Sequence, residues 1–63
     1  MKREPLLRHL RLHSCYLKRE GGSHSLWVNP ATGQMQIVPR HTEVADLLAR
    51  KICPGLSIPE AGR

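Results

Sequence analysis

Residues 15–28 have the sequence CYLKREGGSHSLWV, in which two short segments of mixed polar and apolar residues flank a pair of glycines. Polar and apolar residues that alternate with a period of two are typical of β-strands, because successive side chains point to opposite faces of a sheet. Gly21 and Gly22 can both adopt positive φ angles without strain, as a tight hairpin turn requires. The sequence therefore predicts a β-hairpin with strands at residues 15–20 and 24–28.

A third strand is predicted at residues 34–38, after the sequence NPATG at residues 29–33. Proline near the start and glycine at the end of such a segment are typical of a chain reversal. Pro39 ends the strand, because proline has no amide N–H to donate to a sheet. Three short strands joined by two turns predict an antiparallel meander.

Two helices are predicted to flank this meander. The first covers residues 4–13, where Pro5 suits the first turn and leucines recur on one side. The second begins after Thr42, a good N-cap residue, and ends at Pro54. Its predicted apolar stripe comprises Val44, Leu47, Leu48 and Ile52.

The predicted order α-β-β-β-α belongs to the α+β class, as a two-layer domain with both helices on one face of a three-stranded antiparallel sheet. Double-stranded-RNA-binding domains have this arrangement. We expect residues 1–63 to form one domain, in which Leu56 and Ile58 fold back onto the core and residues 59–63 form a frayed tail. Strict alternation directs one set of strand side chains toward the helices, namely Cys15, Leu17, Leu26, Val28, Met35 and Ile37. It directs a second set toward the open face, namely Tyr16, Lys18, Ser25 and Trp27.

The composition limits the possible functions. A chain of 63 residues builds a thin core and has no room for a cofactor-sized interior cleft, so no cofactor is expected. Ten Lys and Arg against five Asp and Glu give a formal charge of +5. Such an excess favours polyanionic partners, whether nucleic acid, an acidic protein or an anionic membrane.

Cys15 and Cys53 share no CxxC spacing, and two isolated cysteines are typical of small buried hydrophobic residues in a reducing compartment. The basic N-terminal segment lacks the apolar region of a secretory signal, and no stretch is long enough to span a membrane. The first helix is short and has no large aromatic residue, which disfavours membrane binding. We therefore expect a cytoplasmic protein without a membrane partner.

His24 is the candidate catalytic residue. RNA supplies its own nucleophile, the 2′-hydroxyl, and histidine titrates near neutral pH, so it can act as general base or general acid. Lys18 and Arg19, together with the backbone of Gly22 and Ser23, can stabilise the charge that develops on the phosphate. The plainer interpretation is a histidine that only begins a strand after a turn.

Arg40 and His41 directly precede the second predicted helix, whose free amides would form an anion site. A solvated basic loop explains them equally well. Tyr16 and Trp27, predicted on the open face, can stack on unpaired bases or contact a protein partner.

Two further chemistries are disfavoured. A zinc site built from His9, His13 and a cysteine lacks paired-cysteine spacing, so no metal site is predicted. A Ser-His hydrolase would need a buried orienting acid and a substrate cleft.

Five segments of the chain form a recognisable set: LLRHL at 6–10, LKREGGSH at 17–24, VNPATG at 28–33, VPRH at 38–41 and LARKIC at 48–53. In these segments the chain resembles the HicA (YcfA-like) toxins of bacterial and archaeal type II toxin–antitoxin modules. The resemblance runs from about Lys2 to Pro59.

This resemblance implies a double-stranded-RNA-binding-domain-like fold and a metal-independent mRNA interferase that works without the ribosome. The family's essential histidine begins the second strand in a Gly-Ser-His context, which corresponds to His24. It also implies mRNA as substrate and neutralisation by a HicB-like antitoxin that covers the active site. Ser14-Cys15 replaces a Gly-aromatic pair that many members have before the first strand, and this departure concerns core packing more than the histidine.

The sequence thus predicts an endoribonuclease toxin with His24 as its catalytic residue and with RNA contacts from Lys18, Arg19, Gly22, Ser23, Arg40 and His41. A non-catalytic RNA-binding module and a protein-interaction domain are the alternatives. One conflict remains, because strict alternation puts His24 on the helix-covered face with Leu26 and Val28. A position at the rim of the sheet, or a bulge after Ser23, would free it.

Overall fold

The computed structural model, which describes residues 1–61, contains a three-stranded sheet and two α-helices, one before and one after the strands in sequence. The sheet has the order β1-β2-β3, and both strand pairs are antiparallel. The predicted α+β class, the order of elements and the antiparallel meander are therefore confirmed. The elements are α1 (Arg3–Leu12), β1 (Tyr16–Glu20), β2 (His24–Val28), β3 (Met35–Pro39) and α2 (Asp46–Gly55).

The turn between β1 and β2 is closed by the Gly21 N–H, which donates to the His24 carbonyl at 2.8 Å. Glycine fits well at position 21, because a Cβ there would lie in a tight contact, 3.0 Å from that carbonyl oxygen. Neither Gly21 nor Gly22 has a positive φ angle, so the predicted left-handed glycine turn is wrong. The turn is longer than two residues and reverses the chain with ordinary backbone angles. Gly33, with φ of 80°, is the glycine that uses its conformational freedom.

β1 contains a bulge at Lys18. Leu17 pairs with Trp27, and Arg19 pairs with Leu26, so Lys18 has no partner in the register. An extra residue of this kind interrupts the alternation of side chains between the two faces of the sheet. Odd-numbered residues therefore point to one face before the bulge and to the other face after it. The predicted alternation holds for Cys15, which is buried, and for Tyr16, which is exposed, and it is interrupted after Leu17.

The prediction of which side chains in β2 and β3 face the core is wrong in phase, although Val28, assigned to the helix side, is buried as predicted. Trp27 and Ser25, assigned to the open face, are 2% and 0% exposed. Met35 and Ile37, assigned to the helix side, are 45% and 55% exposed, and Leu17 is also exposed. Either phase of β2 buries some apolar area, but the phase observed buries the indole, which has by far the largest apolar surface.

One hydrophobic core joins residues of both helices to the sheet. The sheet contributes Trp27 and Val38 to this core. The guanidinium of Arg11 lies 5.4 Å from the centroid of the Trp27 ring, within the range of a cation–π contact. The remaining buried members are Leu6, Leu7, Leu10, Cys15, Val44, Ala49, Ile52, Cys53, Leu56 and Ile58.

α2 begins later than predicted. Its N-cap is Ala45, and no side chain caps it, whereas the Thr42 carbonyl accepts a hydrogen bond from the Arg3 N–H at 2.8 Å. The segment before α2 pairs with the N-terminal residues instead of starting a helix. Because the predicted stripe was counted from Val44, outside the helix, two of its members, Leu47 and Leu48, are exposed.

The segment after α2 folds back onto the core, as predicted. Leu56 and Ile58 are buried, and the Leu56 carbonyl accepts a hydrogen bond of 2.6 Å from the Asn29 side chain. His9 Nε2 lies 2.7 Å from the Pro59 carbonyl oxygen and donates to it, which holds residues 59–61 near α1. The rest of the predicted frayed tail, residues 62 and 63, lies outside the described residues.

Two leucines of α1 provide a matched test of this core. Leu10 is fully buried, whereas Leu12 is 76% exposed. We expect Leu10→Ala to lower the free energy of unfolding by about 3 kcal/mol, because it removes buried methyl groups and leaves a cavity. Leu12→Ala should change it by no more than about 0.5 kcal/mol. Urea unfolding followed by circular dichroism measures both, and equal losses would contradict the described packing of α1.

Candidate functional site

His24 is exposed at the first position of β2. It pairs with Pro39 of β3 and lies on the face of the sheet opposite Ser25 and Trp27. The conflict over its burial disappears, because the face that carries His24 is the exposed one. The bulge that sequence reasoning suggested after Ser23 lies at Lys18 instead.

Basic side chains share this face with His24. Directly paired residues point the same way, so Arg19, Leu26 and Ile37 lie in one row across the sheet. Arg19 is diagonal to His24, at a separation of about 7–8 Å that a long side chain can span. Lys18 Nζ lies 3.8 Å from Met35 Sδ, so Lys18 also extends across this face. We call this surface, formed by Tyr16, Lys18, Arg19, His24, Leu26, Met35 and Ile37, the exposed sheet face.

Arg40 lies at the end of β3 and braces the turn before His24. Its Nε is 2.7 Å from Glu20 Oε2, its Nη1 donates to the Gly21 carbonyl at 3.1 Å, and its backbone N–H donates to the Ser23 carbonyl at 3.1 Å. Sequence reasoning predicted that Arg40 contacts RNA. In the structure its first role is to hold the ends of the turn together.

A chain of hydrogen bonds continues from Arg40 into the interior. Ser25 Oγ donates to Glu20 Oε1 at 3.0 Å and accepts from Arg3 Nη2 at 2.9 Å, while Arg3 Nε donates to the Pro39 carbonyl at 2.9 Å. Every strand of the sheet and α1 are joined in this way. Sequence reasoning missed this network, because nothing in the local pattern connects positions 3, 20, 25 and 40.

Gly22, Ser23 and His41 are all exposed, as their predicted contacts with RNA require. The proposed anion site at the start of the second helix is not formed by Arg40 and His41, however. α2 begins at Asp46, five residues beyond His41, and the acidic Asp46 occupies its first turn. That prediction was wrong because the residues after Thr42 pair with the N-terminal segment.

Trp27 cannot stack on a base or contact a protein in this fold, because it is 2% exposed and packs inside the core. This corrects its predicted place on the open face. Its indole N–H has no hydrogen-bond partner in the part of the chain that the structure describes. Tyr16 is 51% exposed and remains available on the exposed sheet face.

Both cysteines are free and buried, which confirms their predicted role as small hydrophobic residues. Burial raises the pKa of the Cys15 thiol, and the nearby Cys53 adds to that effect. Burial likewise raises the pKa of Cys53. Neither thiol therefore has the lowered pKa of a reactive cysteine.

The zinc alternative has no support in the described part of the chain. The rings of His9 and His13 meet edge to face, with centroids 4.6 Å apart. Across residues 1–61, however, no three side chains of the His, Cys, Asp and Glu types cluster closely enough to hold a metal ion.

Comparisons of the chain with protein-family models, with curated proteins and with solved structures produced no match. Within residues 1–61, neither helix has the length and apolar character that crossing a membrane would require.

Ser25 and Ser23 provide a matched test of the hydrogen-bond network. Ser25→Ala should lower the free energy of unfolding by about 1–3 kcal/mol, because it removes the buried hydroxyl that accepts from Arg3 and donates to Glu20. Ser23→Ala, at an exposed position two residues away, should change it by no more than about 0.5 kcal/mol. Urea unfolding monitored by the fluorescence of Trp27 gives both values. A Ser25→Ala variant as stable as the wild type would show that the network adds nothing.

Thiol labelling tests the state of the cysteines. At pH 9 the folded chain should react slowly with iodoacetamide, because burial both shields the thiols and raises their pKa above the usual value. The chain unfolded in urea should be labelled at both positions within the same time. Mass spectrometry counts the adducts, and equal rates in the two states would contradict the burial of Cys15 and Cys53.

Proposed function

We propose that the chain is an endoribonuclease of the HicA-like type, the toxin of a type II toxin–antitoxin module, with His24 as its catalytic residue. The observation that carries the proposal is the exposed position of His24 diagonal to Arg19, on the face of the sheet across which Lys18 also extends. An imidazole next to cations on an accessible surface is what transfer of an RNA phosphate requires.

The proposed reaction uses the 2′-hydroxyl of RNA as nucleophile. His24 removes the proton of this hydroxyl as general base, or protonates the departing 5′-oxygen as general acid. A bond forms between the 2′-oxygen and phosphorus while the bond from phosphorus to the 5′-oxygen breaks, which leaves a 2′,3′-cyclic phosphate. Arg19 stabilises the negative charge on the phosphate oxygens, and the exposed turn of Gly22 and Ser23 lies directly before His24. Lys18, whose ammonium contacts Met35, binds the RNA farther along the same face.

We also infer that both helices cover the same face of the sheet, as in double-stranded-RNA-binding domains. In support, Trp27 and Val38 lie in one core with residues of α1 and of α2. Such an arrangement leaves the other face of the sheet free for RNA. His41, exposed beyond β3, would add a further contact to the phosphate backbone.

The partners follow from the same proposal. The substrate is mRNA, and a HicB-like antitoxin would cover the exposed sheet face, where Tyr16, Met35 and Ile37 provide apolar contact area among the cations. No cofactor or metal enters the proposed reaction. The protein would act in the cytoplasm, where mRNA is found.

A non-catalytic RNA-binding module on the same fold is the second candidate. Glu20 favours this candidate, because both oxygens of its carboxylate already have partners, Ser25 and Arg40, and the group does not join His24 as a second acid or base. On the exposed sheet face as the structure describes it, His24 is the one histidine, and no acidic side chain accompanies it. Binding of RNA needs no proton-transfer group, whereas the cleavage described above uses both a general base and a general acid.

Cleavage of RNA by the purified chain in EDTA tests the first candidate. We expect cleavage that leaves 2′,3′-cyclic phosphate ends and falls by about a hundredfold or more in His24→Ala, because that change removes the proton-transfer group. His13→Ala is the matched control. His13 directly follows α1 and lies at the end of the sheet opposite His24. The His13→Ala variant should therefore cleave RNA like the wild type.

The same preparations separate the alternatives. Equal cleavage by the wild type and by a folded His24→Ala variant would exclude His24 as the catalyst. Salt-sensitive RNA binding without cleavage would favour the binding module. Negligible affinity for RNA, together with tight binding to an acidic protein, would favour a protein-interaction domain.

A further inference from the structure

A small basic cavity lies beside the start of α1. It has a volume of about 200 Å³ and is lined by Lys2, Arg3, Glu4, Arg40 and Thr42. Pockets that enclose a whole small molecule usually measure about 300–1,000 Å³, so this one suits a single charged group better than a complete nucleotide. Among these residues, the sequence predicted an RNA contact for Arg40 alone.

The charges around the cavity favour an anion. Lys2, Arg3 and Arg40 supply three cationic groups, against the carboxylates of Glu4, which lines the cavity, and of Glu20, which contacts Arg40. The local balance is therefore positive even though one arginine is paired.

Unused hydrogen-bond donors lie in the same place. A guanidinium has five N–H groups. The contacts of Arg3 within the protein involve its Nε and Nη2, and those of Arg40 involve its Nε and Nη1, so each retains donors beyond these bonds. Planar guanidinium groups bind phosphate through paired hydrogen bonds, which gives them an advantage over lysine for this ligand.

The start of α1 adds to the positive potential. The N-cap residue Lys2 makes no side-chain cap, and the Arg3 N–H is taken up by the Thr42 carbonyl. Because Arg3 and Glu4, the first residues of α1, line the cavity, the positive end of the helix dipole favours an anion there. The hydroxyl of Thr42 can donate a further, neutral hydrogen bond.

This cavity is close to His24 but is not part of the exposed sheet face. The backbone N–H of Arg40 donates to the carbonyl of Ser23, the residue before His24, and His24 pairs with Pro39. Arg3 reaches Ser25 on the core side of β2, whereas the imidazole lies on the opposite side. The two sites thus share one end of the sheet.

We propose that the cavity of Lys2, Arg3, Arg40 and Thr42 is a phosphate-binding site. This assignment rests on the proposed function: the ligand is an RNA phosphodiester near the one that is cleaved beside His24. An RNA strand bound in this way crosses the end of the sheet between Arg40 and His24, and the second phosphate contact fixes its position over the imidazole.

The first experiment measures binding of inorganic phosphate by nuclear magnetic resonance of the ¹⁵N-labelled chain, with chloride at equal ionic strength as reference. Saturable shifts are expected at the amides of Glu4 and Thr42. Lys2→Gln should weaken binding by about tenfold, the size expected for losing one charged hydrogen bond. Lys51→Gln, which removes an exposed charge of α2 outside the cavity, is the matched control.

In His24→Ala, the amides of Glu4 and Thr42 should shift with the same phosphate affinity as in the wild type, because the imidazole does not line the cavity. This result separates the two proposals, since the cavity can bind phosphate even if the chain cleaves no RNA. Absence of saturable shifts at Glu4 and Thr42 would overturn the site. Equal weakening by Lys2→Gln and Lys51→Gln would also overturn it, because nonspecific charge would then explain the binding.

A second arm identifies the source of the phosphate. A 2′-deoxy trinucleotide, which cannot undergo attack by a 2′-hydroxyl, should shift the same amides and lose affinity in Lys2→Gln by a similar factor. If inorganic phosphate binds but the trinucleotide is unaffected by Lys2→Gln, the RNA assignment is overturned and free phosphate is the ligand.

Discussion

Burial of the Trp27 indole determines which face of the sheet becomes the core. Its ring is held among residues of both helices, with the guanidinium of Arg11 beside it. Because alternate residues of a strand point to opposite faces, placing Trp27 inside places His24 outside. The candidate catalytic group is therefore accessible as a direct consequence of packing the largest side chain.

The network from Arg3 through Ser25 and Glu20 to Arg40 complements this packing. It satisfies a serine that is fully buried on the core side of β2 and braces the turn that leads into His24. A buried polar group without partners would cost about 1–3 kcal/mol, which a thin core could hardly offset. The same two arginines line the basic cavity, so one set of side chains both stabilises the end of the sheet and gives it positive potential.

Much of the fold follows from local pattern. Turn residues between short alternating segments predicted three strands, and apolar residues at helical spacing predicted two helices near the observed positions. The sequence did not predict which strand side chains face the core. β2 has apolar residues on both faces, and the bulge at Lys18 interrupts the alternation in β1. The start of α2 was misplaced because Thr42 satisfies an amide of α1, which no pattern near Thr42 indicates.

Some features of the candidate site were likewise predictable from the sequence, and others were not. His24, Lys18 and Arg19 are recognisable in the chain itself, because their chemistry and their closeness in sequence need no fold. Tertiary structure alone decided that Trp27 is buried and that Arg3 belongs beside Arg40. The reason is physical: an alternating strand has two equivalent faces until something packs against one, and residues 37 positions apart become neighbours only when the chain folds.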